Sequence, residues 1–231
     1  MSNDAASEDR SGRQAARETL PSASRPDTFH PADGLCGMCG STGLMPHVRG
    51  GRHDVDMCPH CRSTMVTGNT AASAVIDNAD QYFRAYSGEL TAGKTQACFD
   101  LFLSVTGSLP GNASILDIGC GNGAFLDLAR ESGLETAGID ISAEAVSESS
   151  TKGHSVYTAS ITDGPFPGGR LFDFITMWDV LEHLTIPGKA ILNARRSLKP
   201  GGTLIVLTPM SSSLYDRLGV LLFRLTGKRF D

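Results

Sequence analysis

No stretch of this chain is long and apolar enough to cross a membrane. The longest such run near its end is LGVLLF, far short of the roughly 20 residues a spanning helix needs. The opening MSNDAASEDR is acidic and polar, without the apolar core of a secretory signal. A basic excess is missing too: 20 Lys and Arg stand against 25 Asp and Glu, a formal net charge of -5. Nothing in the global charge therefore draws the chain to nucleic acid or to an anionic membrane. No basic stripe with interleaved aromatics occurs, the pattern expected of an RNA-binding face, and no internal repeat is found. A cytoplasmic protein is the resulting expectation. What is present, 231 residues of which 40% are hydrophobic, suffices for one α/β domain with a small appendage.

Cysteine is not scarce, and its spacing is informative. Four of the six cysteines form Cys36-x-x-Cys39 and Cys58-x-x-Cys61, with 18 residues between the pairs, while Cys98 and Cys120 stand alone. In a chain with no export signal, paired C-x-x-C reads as metal ligation before disulfides. Two such knuckles can place four thiolates on one tetrahedral centre, and four protein ligands close the site, so the expected ion is a structural zinc. A ribbon of about 35 residues with little core of its own would draw much of its stability from that ion. The competing reading is a redox dithiol pair, although the surroundings are not a βαβ unit. His47, His53 and His60 are spare.

Four regions follow from composition and periodicity. Residues 1–30 are polar, lack an apolar period and are expected to be disordered. Residues 34–66 hold the cysteine ribbon, and 67–110 a linker followed by helices. In the latter, Tyr82, Phe83 and Tyr86 fall at helical spacing. So do two apolar stripes in KTQACFDLFLSVTGSL, one through Ala97, Leu101 and Val105 and one through Cys98 and Phe102. Pro110-Gly111-Asn112 is expected to stop that helix. Residues 111–231 alternate strand and helix. SILDIG, ETAGIDI, SVYTAS, LFDFITMW and TLIVLTP read as strands; AFLDLARES, AEAVSESS and PGKAILNARRSL read as helices. Ser142 is placed as an N-cap with Glu144 in the first turn, Pro187 as a helix start, and Lys199-Pro200-Gly201-Gly202 as a tight turn. Alternation of this kind predicts a parallel, Rossmann-like sheet covered on both faces.

The loop after the first of these strands poses the functional question. Gly119-Cys120-Gly121-Asn122-Gly123-Ala124 fits the G-x-G-x-x-A form of the dinucleotide fingerprint, and it fits the D-x-G-x-G-x-G loop of S-adenosylmethionine binders equally well. Asp140, about twenty residues on, can accept ribose hydroxyls in either ligand. Asp117 discriminates. A carboxylate two residues before the loop would repel a pyrophosphate, whereas opposite charges within about 4–6 Å favour each other, and the methionine end of S-adenosylmethionine is cationic. The alternative is that Asp117 only hydrogen-bonds the loop backbone.

Four motifs occurring in order, ILDIGCGNGAFL, GIDIS, FDFITMWDVLEHL and LKPGGTLIVLTP, resemble those of the class I S-adenosylmethionine-dependent methyltransferases over about residues 80–215. The resemblance implies that Asp117, Gly119, Gly121 and Gly123 frame the methionine end of the donor. It implies that Asp140 holds the ribose, that Ile141 packs on the adenine, and that Ser160 and Ile161 meet the adenine edge. It puts Trp178 at the methyl-transfer site. Many relatives carry an acidic residue near Ser160, where this chain does not. A sheet of seven strands is also implied, but only five can be found, and the chain is expected to lack the last two.

Methyl transfer from a sulfonium is mainly a matter of in-line placement; a base is needed when the acceptor is a hydroxyl. His183 is the candidate base, or else a packing histidine. Asp179, Glu182 and His183 stand at i, i+3 and i+4 and would share one helix face. That trio is a candidate site for a divalent cation that orients a diphenol, similar to that of ubiquinone-biosynthesis O-methyltransferases, or else a solvated charge cluster. The tail repeats Leu214, Leu218, Leu221, Leu222 and Leu225 among basic residues. It is expected to pack as an amphipathic helix near the pocket, with weak membrane-surface contact as its second reading. The expected function is methylation of a small molecule, oxygen favoured. The alternatives are an RNA methyltransferase, for which Arg49, Arg52 and Arg62 are offset by Asp54 and Asp56, a truncated non-catalytic donor-binding scaffold, and an NAD oxidoreductase.

Overall fold

The computed structural model describes residues 34–48, 54–67, 79–86 and 90–209. The expected disordered start and the leucine-rich tail lie outside them. At the N-terminal end, β1 (Met45–Val48), β2 (Asp54–Met57) and β3 (Thr64–Thr67) form an antiparallel three-stranded sheet. Helices α1 (Ala79–Tyr86) and α2 (Leu90–Thr106) follow. The remainder alternates: β4 (Ser114–Ile118), α3 (Ala124–Glu131), β5 (Glu135–Asp140), α4 (Ala143–Thr151), β6 (Ser155–Thr158), β7 (Phe172–Trp178), α5 (Pro187–Arg196) and β8 (Leu198–Leu207). Its five strands pair in parallel in the order β6-β5-β4-β7-β8. This is the Rossmann-like order expected for the strands found, with β8 outermost among the described residues.

Both faces of the sheet are buried, and successive residues of one strand serve opposite faces. Leu116 and Ile118 enter one apolar cluster with Ile175, Met177 and the alanines of α5. Ile115 enters the other, with Phe102 of α2, Phe125 of α3 and Phe174 of β7. The second cluster is built on aromatic edges. Phe102 meets Phe125 and Phe174 at ring separations of 6.0 and 5.4 Å, both T-shaped, the arrangement the ring quadrupoles favour.

Several helix details differ from expectation. On α2 the buried stripe is Cys98, Phe99 and Phe102, whereas Leu101 and Val105 are exposed. The helix also ends three residues before Pro110. Gly107, at φ 67°, takes the left-handed conformation that closes a helix, and its N–H reaches the Leu103 carbonyl at 2.9 Å. Ser142 caps α4 as anticipated, accepting from the Ala145 N–H at 3.1 Å. The Lys199–Gly202 turn is incorporated into β8, where the pairing with β7 slips between Phe172 and Phe174. No helix among the described residues is long and apolar enough to cross a membrane. Because Phe102 is fully buried and touches three other rings, Phe102→Ala should cost about 3–5 kcal/mol, read as a lowered urea midpoint.

Candidate functional site

The glycine loop turns back on itself. Gly119, Gly121 and Gly123 all hold positive φ, 78°, 52° and 78°, where a side chain is strained. At Gly119 a Cβ would also run into the Val180 side chain. The destination of the loop amides is decisive. The N–H groups of Gly119 and Cys120 both reach the Ile139 carbonyl, at 2.8 and 3.1 Å. That of Gly121 goes to Asp140 Oδ2 at 2.9 Å, that of Gly123 to the Cys120 carbonyl, and that of Ala124 to Asn122 Oδ1. Five of the six N–H groups from Gly119 to Ala124 are therefore bonded inside the protein. A dinucleotide loop instead aims such donors at a pyrophosphate, so this loop has few left for one.

Two carboxylates face the space the loop encloses. Asp117 is 2% exposed. It pairs across the sheet with Thr176, whose hydroxyl donates to Asp117 Oδ1 at 2.7 Å; the expected alternative, a bond to the loop backbone, is replaced by this one. Burial pushes the Asp117 carboxyl up to about 7, with the nearby Asp140 charge adding and the Thr176 bond opposing. Asp140 accepts from the Gly121 N–H through Oδ2 and from the Ser142 N–H through Oδ1, each at 2.9 Å. Its own carboxyl is raised by burial, partly offset by those bonds. Each oxygen keeps a lone pair for a ligand hydroxyl.

Around them lies a cavity of 1260 Å³, above the roughly 300–1,000 Å³ that holds one drug-sized ligand. Asp117, Gly119, Gly121 and Asp140 line it, as do Ile141, Ser160 and Ile161. Gly123 does not. It packs against Ser149 and His154, where a Cβ would collide. Ser160 turns its hydroxyl onto the Thr162 hydroxyl at 2.7 Å, and Asp163, not singled out from sequence, brings a carboxylate to the wall.

The opposite wall was largely missed by sequence reasoning. Helix α1 lies across the cavity with Tyr82 and Phe83 in its lining. Asp80 anchors it to the start of α4 by accepting from the Ser142 hydroxyl at 2.6 Å and the Glu144 N–H at 3.3 Å, and Arg84 pairs with Glu144. Tyr82 Oη lies 3.4 Å from His183 Nε2, with the rings edge-on at 5.5 Å. The aromatic spacing was the available signal; its partner, a hundred residues away, had none. Trp178 also lines the cavity, its ring tilted against Phe125 at a centroid separation of 5.3 Å, and its buried Nε1 has no protein hydrogen-bond partner among the described residues.

Asp179, Glu182 and His183 reach the cavity but not one another's company. The segment is no helix: Asp179 is left-handed at φ 51°, and only Leu181–His183 form a 3-10 turn. Asp179 pairs with Lys94 of α2, Glu182 accepts from the Thr208 hydroxyl at 3.1 Å, and His183 faces Tyr82. The one group of metal-ligating side chains that converges among the described residues is elsewhere, so the expected cation face is not formed.

That group is Cys36, Cys39, Cys58 and Cys61, whose sulfurs all lie within 4.8 Å of one another. Cys36 to Cys61 is 3.6 Å and Cys39 to Cys58 is 3.7 Å. Both are too long for a disulfide and close to the edge of about 3.8 Å that a ZnS₄ tetrahedron with 2.3 Å bonds requires. The two knuckles repeat each other. The Cys36 N–H reaches the Ser41 carbonyl and the Cys58 N–H the Ser63 carbonyl, each at 2.9 Å, while Cys39 and Cys61 each donate to a serine hydroxyl at 3.3 Å.

Comparison with known proteins bears on the parallel-sheet domain. The family described as "Methyltransferase domain" matches residues 91–226, more than half of the chain. A ubiquinone biosynthesis O-methyltransferase of Xanthomonas campestris pv. campestris is 34% identical over 109 residues, covering 44% of each chain. The mitochondrial one of Candida albicans is 31% identical over 105 residues, 41% of this chain and 32% of that one. The chain thus spans less than half the length of these curated relatives. A crystal structure of a Pyrococcus horikoshii protein superposes with a TM-score of 0.51 at 20% identity, over 62% of this chain and 68% of that one, which supports the same fold. By the family match and by its sheet, this chain belongs to the class I methyltransferase-domain family.

Proposed function

We propose that this chain transfers a methyl group from S-adenosylmethionine to a small-molecule acceptor, an oxygen nucleophile being favoured, and that a structural zinc closes its four-cysteine ribbon. The observation that carries the reading is a buried carboxylate beside a glycine loop whose amides are already engaged: the site offers negative charge and withholds phosphate donors. Family membership supports the donor, and the printed names of the partial relatives support oxygen.

Asp117 would face the cationic methionine end, and the free lone pairs of Asp140 would take the ribose hydroxyls. The donor, when bound, supplies an electrophilic methyl on a leaving group that departs neutral. Little charge then needs stabilising, and the protein's task is to align the acceptor and exclude water. Phe83, Tyr82 and Trp178 supply that apolar enclosure. For a hydroxyl acceptor, His183 is the base; in the tautomer whose Nε2–H donates to Tyr82 Oη, Nδ1 is left to take the proton.

Titration calorimetry should show binding of S-adenosylmethionine or S-adenosylhomocysteine and none of NAD. Asp117→Asn should weaken donor binding at least about tenfold, the loss of one charge-assisted contact. Because Asp117 ionises near pH 7, wild-type affinity should climb between about pH 6 and 8, and the Asn variant should be flat. The same group works against the ligand-free fold. Its folded value lies above the unfolded one of about 3.9, so its stabilising effect is present below pH 4 and is lost as pH rises through about 7.

Metal analysis should give about one zinc per chain, and Cys58→Ser should lower that content and destabilise residues 34–67 to proteolysis. Turnover is read with a panel of diphenols and labelled donor. Methyl transfer abolished by His183→Ala, with donor binding retained, is the expected result; donor binding with no transfer to any acceptor would mark the chain as a binding protein.

A further inference from the structure

We propose that the first cysteine knuckle caps helix α5 and thereby sets the acceptor-side wall of the cavity, with Gly188 as the positioning residue. The inference rests on the proposed zinc ribbon. Its basis is a contact between two parts of the chain 150 residues apart: the Gly188 N–H donates to the Gly37 carbonyl at 2.9 Å.

Helix α5 begins at Pro187 after Ile186, which supplies no side-chain cap. The first N–H groups of a helix need acceptors from outside it. Proline removes one of them, and the knuckle carbonyl of Gly37 satisfies the next. Glycine at the second helical position is otherwise a poor choice, about 1 kcal/mol worse than alanine. Here it has a steric reason. A Cβ on Gly188 would overlap the Met38 carbonyl oxygen and lie 2.9 Å from its carbon. Backbone meets backbone, so no side chain can rotate away. Gly37 and Met38 are the two residues between Cys36 and Cys39, and their conformation is the one the thiolate cluster imposes.

The other side of this contact is the cavity. Immediately before α5 come Glu182, His183 and Leu184, all in the lining, and Val180, Leu181 and Leu184 pack on the same core as Ala190 and Ala194 of α5. The donor half of the site, on β4 and β5, has no hydrogen bond to the knuckle among the described residues and meets this wall only through packing, Gly119 against the Val180 side chain and Ile161 in the core shared with Ala190. Metal occupancy and knuckle docking therefore act first on the acceptor wall.

The test uses the full chain with its metal. Gly188→Ala should keep its zinc and bind S-adenosylhomocysteine within about twofold of wild type, while amide exchange across residues 180–192 accelerates about five- to tenfold, the loss expected of a helix cap. Emission from Trp178, the single tryptophan, should shift as well. Chelating zinc from the wild type should reproduce both changes. Gly111→Ala, where a Cβ meets nothing within 4 Å, should alter neither. Unchanged exchange in residues 180–192 in both Gly188→Ala and the chelated wild type overturns the proposal. If Gly188→Ala does not fold, the chelation arm decides. Absence of zinc in the purified chain overturns the ribbon reading separately, and absence of donor binding overturns the methyl-transfer reading, without either being confused with the docking result.

Discussion

A carboxylate held out of water at the mouth of the central strand constrains everything around it. Asp117 is nearly inaccessible and has one strong partner, the Thr176 hydroxyl. Burying such a group without a counter-charge is unfavourable, and its raised proton affinity expresses that cost. Parallel pairing of β4 with β7 places Thr176 directly beside it. The surrounding aromatic cluster of α2 and α3 then denies it solvent. The Asp117 carboxyl borders the cavity beyond the strand ends, where ligands of open α/β sheets lie.

The glycine loop completes the same selection from the other direction. Its spelling is shared by loops that bind pyrophosphate and loops that do not, because glycine only licenses the backbone conformation. What separates them is where the N–H groups point. Here Ile139, Asp140, Cys120 and Asn122 consume them. Charge and hydrogen-bond capacity agree: one repels phosphate, the other leaves it few donors.

This explains which parts of the molecule could be read without coordinates. The five strands, the Ser142 cap and the four metal-spaced cysteines were legible, since each depends on periodicity or on residues a few positions apart. The helix expected at Asp179–His183 was not. Spacing placed the three side chains on one face, but Asp179 turns left-handed to meet Lys94, and β8 accepts its N–H through the Leu207 carbonyl; tertiary bonds overrode local preference. On α2, two stripes of equal hydrophobicity were visible, and only packing against Phe125 and Phe174 could choose between them. The close packing of Gly123 on Ser149 and His154 was hidden for a related reason, since the motif contains neither residue.

The two halves of the cavity differ in how they are built, and that difference bears on specificity. The donor half consists of strand ends and one loop, tied by sheet pairing and by short bonds from Asp140, Asn122 and Thr176. The acceptor half consists of α1, a three-residue 3-10 turn and the start of α5, elements with few internal hydrogen bonds and therefore low intrinsic stability. Each is held from outside: α1 by Asp80 and Arg84 on α4, the turn by Tyr82 and Thr208, α5 by the knuckle carbonyl of Gly37. A wall assembled from such braces can be reshaped by changing a brace without disturbing Asp117 or Asp140. On the proposed reading, that separation places the determinants of acceptor choice in residues that carry none of the glycine-loop signature.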